Sequence, residues 1–278
     1  MKTILLTGAT GFVGTQIFNY LCELNFNVIP VVRQGKEYLM GGSKQVKRVI
    51  SSPDIFKETS EWWELQCEDV DIIIHAAWHV EPGQYLQSTK NLDCLIGSYN
   101  LAKGAVNAGV KRFVGLGTCF EYELKGGVLS VETPLNPKTI YSGAKAALYL
   151  GLSQWLPQQS VEFCWCRLFY LYGEGEDSRR LVPYIHKQLL NGEPVELTKG
   201  NQIRDFMDVA EVGQIIVKVA LGAEKGAINI CSGTPITIKQ IALQISEKYN
   251  RSDLIKFGVR KDNEIDPPCI LGIPNYLT

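Results

Sequence analysis

Apolar and polar positions alternate between two periods along the first 170 residues. Short apolar runs at 3–7, 27–32, 45–50, 70–75, 112–116 and 162–168 are bounded by polar or turn residues and read as buried strands. Helical spacing lies between them, clearest at 15–23, 91–108 and 141–152. This order predicts an α/β fold, a doubly wound parallel sheet with right-handed crossovers. From about residue 169 the alternation weakens. A polar loop, Gly173-Glu174-Gly175-Glu176-Asp177, leads to a helix at 181–191, the turn Gly192-Glu193-Pro194, a strand at 227–231 and a helix at 237–249. The expectation is a sheet domain over 1–168 and a smaller lobe over 169–278, set on the carboxyl edge of the sheet. Residues 266–278 carry no pattern.

Composition narrows the class. The chain has 278 residues, 45% hydrophobic and 21% charged, with a net charge of −1. That is ordinary for a globular protein and gives no support to nucleic-acid or anionic-membrane partners. No apolar run approaches the roughly 20 residues that span a bilayer. The N-terminus enters a strand without a basic segment or cleavage site, so a secretory leader is not expected. Eight cysteines sit mostly in apolar stretches and no CxxC occurs. They read as reduced core thiols of a cytoplasmic protein. Cys164 and Cys166, two apart on a strand, should share one sheet face. His75, His79 and His186 do not form a ligand set, so no metal is expected.

The first chemistry is at the start of the chain, in TGATGFVG. Gly8, Gly11 and Gly14 follow the first strand and open a helix. Strand, glycine turn and helix together aim backbone N–H groups at a pyrophosphate. The expected cofactor contacts are Gly8, Thr10, Gly11, Phe12, Val13 and Gly14. The second strand ends in Val32-Arg33, with Lys36 close behind. A site for NAD usually has Asp or Glu there, about 20 residues past the glycines, to accept bonds from the ribose. A guanidinium pairs instead with a 2′-phosphate, so NADP is favoured, with NAD the alternative. Asp54-Ile55 and His75-Ala76-Ala77 follow the third and fourth strands and are suited to line the adenine and ribose.

Tyr141-Ser142-Gly143-Ala144-Lys145 puts a phenol and an ammonium on one helix face. The ammonium should lower the phenol's pKa and make Tyr141 a proton donor and acceptor for a carbonyl–alcohol conversion. Lys145 can also bond the nicotinamide ribose. Thr118 ends the strand starting at Arg112, at the carboxyl edge where open α/β sheets bind ligands. Its hydroxyl could hold the substrate oxygen against Tyr141.

With these motifs in place the chain resembles the extended short-chain dehydrogenase/reductase family, in the branch that acts on nucleoside-diphosphate sugars. The likeness runs through TGATGFVG, IIIHAA, ETPLNP before YSGAK, RLFYLYGEGE, RRLVPYIHKQLLNGEP and QIRDFMDVAEVG. It implies a Rossmann domain for NAD(P), a smaller C-terminal lobe for the nucleotide sugar, and a triad of Thr118, Tyr141 and Lys145. It also implies that Arg204 holds the pyrophosphate, with Arg180 and Val182 beside the nucleotide. Tyr170 takes the place of an Asn that usually contacts the sugar. Pairing of two copies through the helices at 91–108 and 141–152 is a further implication.

Departures from the family pattern narrow the reaction. The family's 4,6-dehydratases carry Asp-Glu after the triad Thr, where Cys119-Phe120 stand here. The 3,5-epimerase/reductases use a Cys and a His where Phe120 and Arg180 stand. Cys119 is one position off and reads as a packed thiol. Cys94 replaces an Asn of the helix, for which Asn91, one turn back, could substitute. The family's terminal helix is not visible by residue 278. The preferred reading is an NADPH-dependent reductase of a nucleotide-linked 4-keto(deoxy)hexose. The alternatives are a nucleotide-sugar 4-epimerase with tightly bound NAD, and a non-catalytic NADP-binding sensor.

Overall fold

The computed structural model describes residues 2–261 and 267–276. Its strands are β1 (Thr3–Thr7), β2 (Asn27–Arg33), β3 (Ile50–Ser52), β4 (Ile72–His75), β5 (Arg112–Thr118), β6 (Val128–Leu129), β7 (Glu162–Leu168), β8 (Tyr170–Tyr172), β9 (Val195–Glu196), β10 (Ile203–Asp208), β11 (Gly226–Ile230), β12 (Pro235–Thr237), β13 (Ile255–Lys256) and β14 (Cys269–Gly272). The helices are α1 (Phe12–Glu23), α2 (Ser60–Gln66), α3 (Lys90–Asn107), α4 (Ile140–Gln158), α5 (Leu181–Asn191), α6 (Val209–Leu221) and α7 (Ile238–Lys248).

Seven strands form one parallel sheet in the order β11-β7-β5-β4-β1-β2-β3. The order reverses between β1 and β4, which opens a crevice at their carboxyl ends. Alternation within each strand feeds two cores. Ile4 and Leu6 face the layer with α1 and α6, and Leu5 faces the layer with α2, α3 and α4. Cys164 and Cys166 share the first face, while Phe163 and Trp165 fill the second. The doubly wound parallel sheet is as the sequence predicts.

The chain returns to the large sheet after residue 169. It leaves the sheet after β7, but α6 and β11 return to it. The apolar rows of α6 need cover, and they find it on α1. A Cβ at Gly213 would stand 2.7 Å from Gln16 Cβ, so the missing side chain lets the helices approach. The third strand is also displaced. Ile50–Ser52 pairs with β2, and the segment before it is joined to the sheet by a bridge between Val46 and Val28.

The remaining elements build the smaller lobe. β10 pairs antiparallel to β12 and parallel to β14 and β8. Val182, Ile185, Leu189, Val195, Ile241 and Ile245 pack between α5, α7 and the short strands. No helix among the described residues is long and apolar enough to cross a membrane.

Candidate active site

The glycine turn has the shape its sequence implies. Gly8 has φ +71°, and a Cβ there would stand 2.8 Å from the Ala77 nitrogen. The missing side chain lets β1 and the β4 loop meet at the crevice. A Cβ at Gly14 would collide with the Gly8 carbonyl oxygen, so α1 starts against the strand end. Gly11 is the N-cap of α1 and offers no side chain to its first-turn amides. A cleft of about 210 Å³ opens there, lined by Thr10, Gly11, Phe12, Thr15, Glu174 and Gly175 among others. Uncapped amides at a helix N-terminus beside open space fit a dinucleotide pyrophosphate.

Around this turn, Val13 is half-buried against the core. Ala76 and Ala77 are half-exposed at the crevice, their amides bonded to Thr7. Arg33 is exposed at the end of β2, opposite Ser52. Asp54 shapes a local turn by accepting from the Phe56 amide at 3.1 Å, with Ile55 partly buried beside it. His75 does not line the cofactor crevice. It is buried between the Thr7 hydroxyl at 2.7 Å and the Ser98 hydroxyl at 2.8 Å. Burial pushes its pKa down to about 3, so it is a neutral linker of β1 to α3.

Thr118, Tyr141 and Lys145 come together at the carboxyl end of β5, all three buried. Thr118 ends the strand and caps a single 3-10 turn, Cys119–Glu121. Tyr141 enters from the first turn of α4, whose start is fixed by a capping box between Thr139 and Ser142. The Thr118 side chain lies close enough to Tyr141 to favour its ionised form. Lys145, one turn deeper, donates from Nζ to the Leu116 carbonyl at 2.5 Å.

The electrostatics differ from expectation. Burial, with Tyr85, Glu121 and Cys119 adding to it, raises the Tyr141 pKa well above an ordinary phenol. The Thr118 side chain opposes this, by less than burial raises it. Burial also lowers Lys145 to about 7, against a smaller opposing effect of Glu121. Desolvation is the largest effect on both groups, and the ammonium donates to Leu116 over the Trp78 ring.

Further residues surround this group, and of these only Asn91 was singled out by the sequence. Tyr85 meets Tyr141 edge to face, with centroids 4.8 Å apart. Trp78 lies under Lys145. Asn91 holds the loop that carries both. Its amide accepts from Trp78 Nε1 at 2.8 Å and donates to the Tyr85 and Ser88 carbonyls at 2.6 and 2.8 Å. The side chain expected to stand in for a family Asn thus orders the loop over the triad. Glu121, fully buried, pairs with Arg167. A buried polar contact between positions 46 apart leaves no local signal in a sequence.

On the lobe side, the Arg204 guanidinium lies 5.3 Å from the Tyr170 ring and acts on Cys119, so these residues approach the triad's end of the sheet. Arg180 is exposed at the start of α5 and lies 5.9 Å from the Tyr85 ring. Val182 does not stand in the crevice. Its side chain packs in the lobe's core, which leaves its backbone as the part available to a ligand. Arg179 turns away to Asp177 and Glu81, at 2.7 and 2.8 Å.

A Rossmann sheet with a nucleotide turn at its switch point, and a buried Thr–Tyr–Lys group beside it, defines a dinucleotide-dependent enzyme of the short-chain dehydrogenase/reductase type. A family model described as the NAD dependent epimerase/dehydratase family matches residues 4–231, and the chain belongs to that family. Among curated proteins it is 22% identical over 274 residues to a dTDP-6-deoxy-L-talose 4-dehydrogenase (NAD(+)) of Aggregatibacter actinomycetemcomitans, covering 97% of this chain and 98% of that one. It is 25% identical over 282 residues to a CDP-abequose synthase of Salmonella muenchen, covering 95% and 87%. Among solved structures it is similar to a UDP-N-acetylglucosamine 4-epimerase from Methanobrevibacter ruminantium in complex with UDP-N-acetylmuramic acid, with TM-score 0.83, 21% identity and coverage of 98% and 89%. A UDP-glucose 4-epimerase of Thermus thermophilus in complex with NAD gives TM-score 0.81 at 20% identity, covering 98% and 90%.

Proposed function

We propose that the chain is a cytoplasmic, NADPH-dependent reductase of a nucleoside-diphosphate-linked 4-keto(deoxy)hexose. The observation that carries this reading is a buried Thr118–Tyr141–Lys145 group whose neighbouring carboxylate among the described residues, Glu121, is already engaged. Cys119, next to Thr118, has its thiol pushed up to about 12 by burial and is inert. Phe120 follows, and Glu121 is locked in its ion pair. Elimination or epimerisation at a carbon next to the carbonyl needs a further base. Reduction of the carbonyl needs only one proton donor.

A bound nicotinamide would supply the hydride. Tyr141 stays protonated through neutral pH and is therefore in the form that donates a proton to the carbonyl oxygen. The Thr118 hydroxyl bonds that oxygen and holds it at the phenol. Lys145, with a pKa near 7, replaces the proton and bonds the nicotinamide ribose. Arg204 and Arg180 hold the diphosphate with forked donors, with Tyr170 and the Val182 backbone beside them. Arg33 at the end of β2, where no carboxylate stands, supports NADP over NAD.

The test is NADPH oxidation over a panel of nucleotide-linked 4-keto-6-deoxysugars, with Tyr141→Phe as control. The expected result is stoichiometric turnover in the parent and a loss of roughly 100-fold or more in the variant. Interconversion of two sugar nucleotides without net NADPH use, with NAD retained by the protein, would replace this reading with the 4-epimerase. Cofactor binding without turnover of either kind would favour the sensor.

A further inference from the structure

Glu121 is fully buried at the end of the turn that follows β5, and the proposed reaction does not use it. Its carboxylate is saturated with donors. Oε1 accepts the Thr118 amide at 2.8 Å and Trp165 Nε1 at 3.0 Å. Oε2 accepts Arg167 Nε at 2.7 Å and Trp165 Nε1 at 3.1 Å. Arg167 is fixed in turn. Its guanidinium lies 4.5 Å from the Tyr122 ring and 4.5 Å from the Tyr149 ring, and its Nη1 donates to the Tyr122 hydroxyl at 2.9 Å.

Stability alone is a poor reason for such a pair. Two apolar side chains of similar volume fill a buried site as well or better. They would leave out an acceptor for the Thr118 amide and a carboxylate that favours the charged form of Lys145. The groups facing Lys145 come from several elements. They are His75 on β4, Cys94 on α3, the Trp78 ring, the Leu116 carbonyl on β5 and Glu121 after it, with Tyr141 one turn away on the same helix. His75 is neutral, and the Cys94 thiol is pushed up to about 11. Tyr141 is a neutral phenol. Glu121 is the carboxylate of this set. Trp165 connects the two, its ring 5.7 Å from Lys145 Nζ and its Nε1 on Glu121.

We propose that Glu121 is a positioning residue of the catalytic group. Anchored by Arg167 and Trp165, its carboxylate fixes the turn that presents the Thr118 hydroxyl to Tyr141 and is the counter-charge of the Lys145 ammonium. This rests on the roles proposed above for Thr118, Tyr141 and Lys145, but it can be read without substrate or cofactor.

The experiment follows the Nζ resonance of Lys145 against pH in lysine-labelled protein, assigned by its loss in Lys145→Met. Three proteins are compared: the parent, Glu121→Gln, and the double variant Glu121→Leu with Arg167→Met. The amide of Glu121→Gln directs donors at Arg167 and Trp165 and is the less certain to fold. The double variant removes both charges and keeps the volume. The expected result is a Lys145 midpoint lower by about one unit or more in each folded variant, a tenfold weaker hold on its proton. In the double variant this change accompanies a melting temperature close to the parent's. A parent-like midpoint in either folded variant overturns the proposal. Failure of both variants to fold overturns it too, and assigns the carboxylate to the fold. Absence of sugar reduction in the parent, with the midpoint shift present, would instead sink the reductase reading and leave Glu121 as proposed.

Discussion

Lys145 Nζ lies 3.8 Å from the centroid of the Trp78 ring. A desolvated ammonium on an indole face is held by the ring quadrupole but loses its water, and here the loss is the larger effect. The Lys145 pKa falls from 10.5 to about 7. Between those values the unfolded chain holds a proton that the folded chain has released. Stability from this residue therefore rises with pH across that window, with a slope on the order of 1 kcal/mol per unit, and is lost as pH falls through it. Lys145→Met should remove that slope. Denaturant unfolding of both proteins from pH 7 to 10 measures it, and a pH-independent difference between them would refute the buried, shifted lysine.

The close approach of α1 to β1 makes a second prediction. A Cβ at position 14 meets the Gly8 carbonyl oxygen, a backbone atom that cannot move aside. Gly14→Ala should cost about 1–3 kcal/mol and weaken dinucleotide binding, as read by thermal melting with and without NADPH. Gly143 in α4 meets nothing, so Gly143→Ala should stabilise by about 0.5–1 kcal/mol. Equal effects at the two sites would reject the packing argument.

The contrast between these glycines shows what a sequence can display. The turn at Gly8, Gly11 and Gly14 was legible because every part of it is local: strand, turn and helix are contiguous. Thr118, Tyr141 and Lys145 were legible because their types and spacing carry chemistry. The docking of α6 on the large sheet and the place of β11 in it were not, because they depend on which distant surface covers an apolar row. The neutral, buried His75 and the Glu121–Arg167 pair were hidden for the same reason. Their partners are Ser98 and Thr7 for the first, and for the second a strand that lies beyond β6 and α4 in the chain. The direction of the Tyr141 shift was misread because spacing along a helix says nothing of desolvation.

Cofactor choice is tested at the end of β2. Arg33 is exposed there and the adjoining Val32 offers no acceptor for a ribose hydroxyl. Arg33→Ala should weaken NADPH by roughly 10–100-fold, as for loss of a charge-assisted bond, and change NADH by much less. Titration calorimetry with both nucleotides gives the comparison. Parallel losses would remove the 2′-phosphate from this position.

The last prediction concerns the surface of α3 and α4. Leu92 and Ile96, one turn apart on α3, are 51% and 61% exposed, and Leu150 on α4 is 54% exposed. The two helices are joined by the Tyr99 hydroxyl on the Ala147 carbonyl at 3.0 Å, so they present a common face. Apolar side chains at helical spacing on an outer face are stable when a second copy covers them, and a two-fold axis would then build a four-helix interface. Ile96→Glu would place two charges, one from each copy, near that axis in an apolar contact. Sedimentation should show a dimer in the parent and a monomer in the variant at micromolar concentration. Nucleotide binding should persist, because the cofactor crevice is built within one chain. A monomeric parent at tens of micromolar, or a variant that still dimerises, would remove this face from the interface.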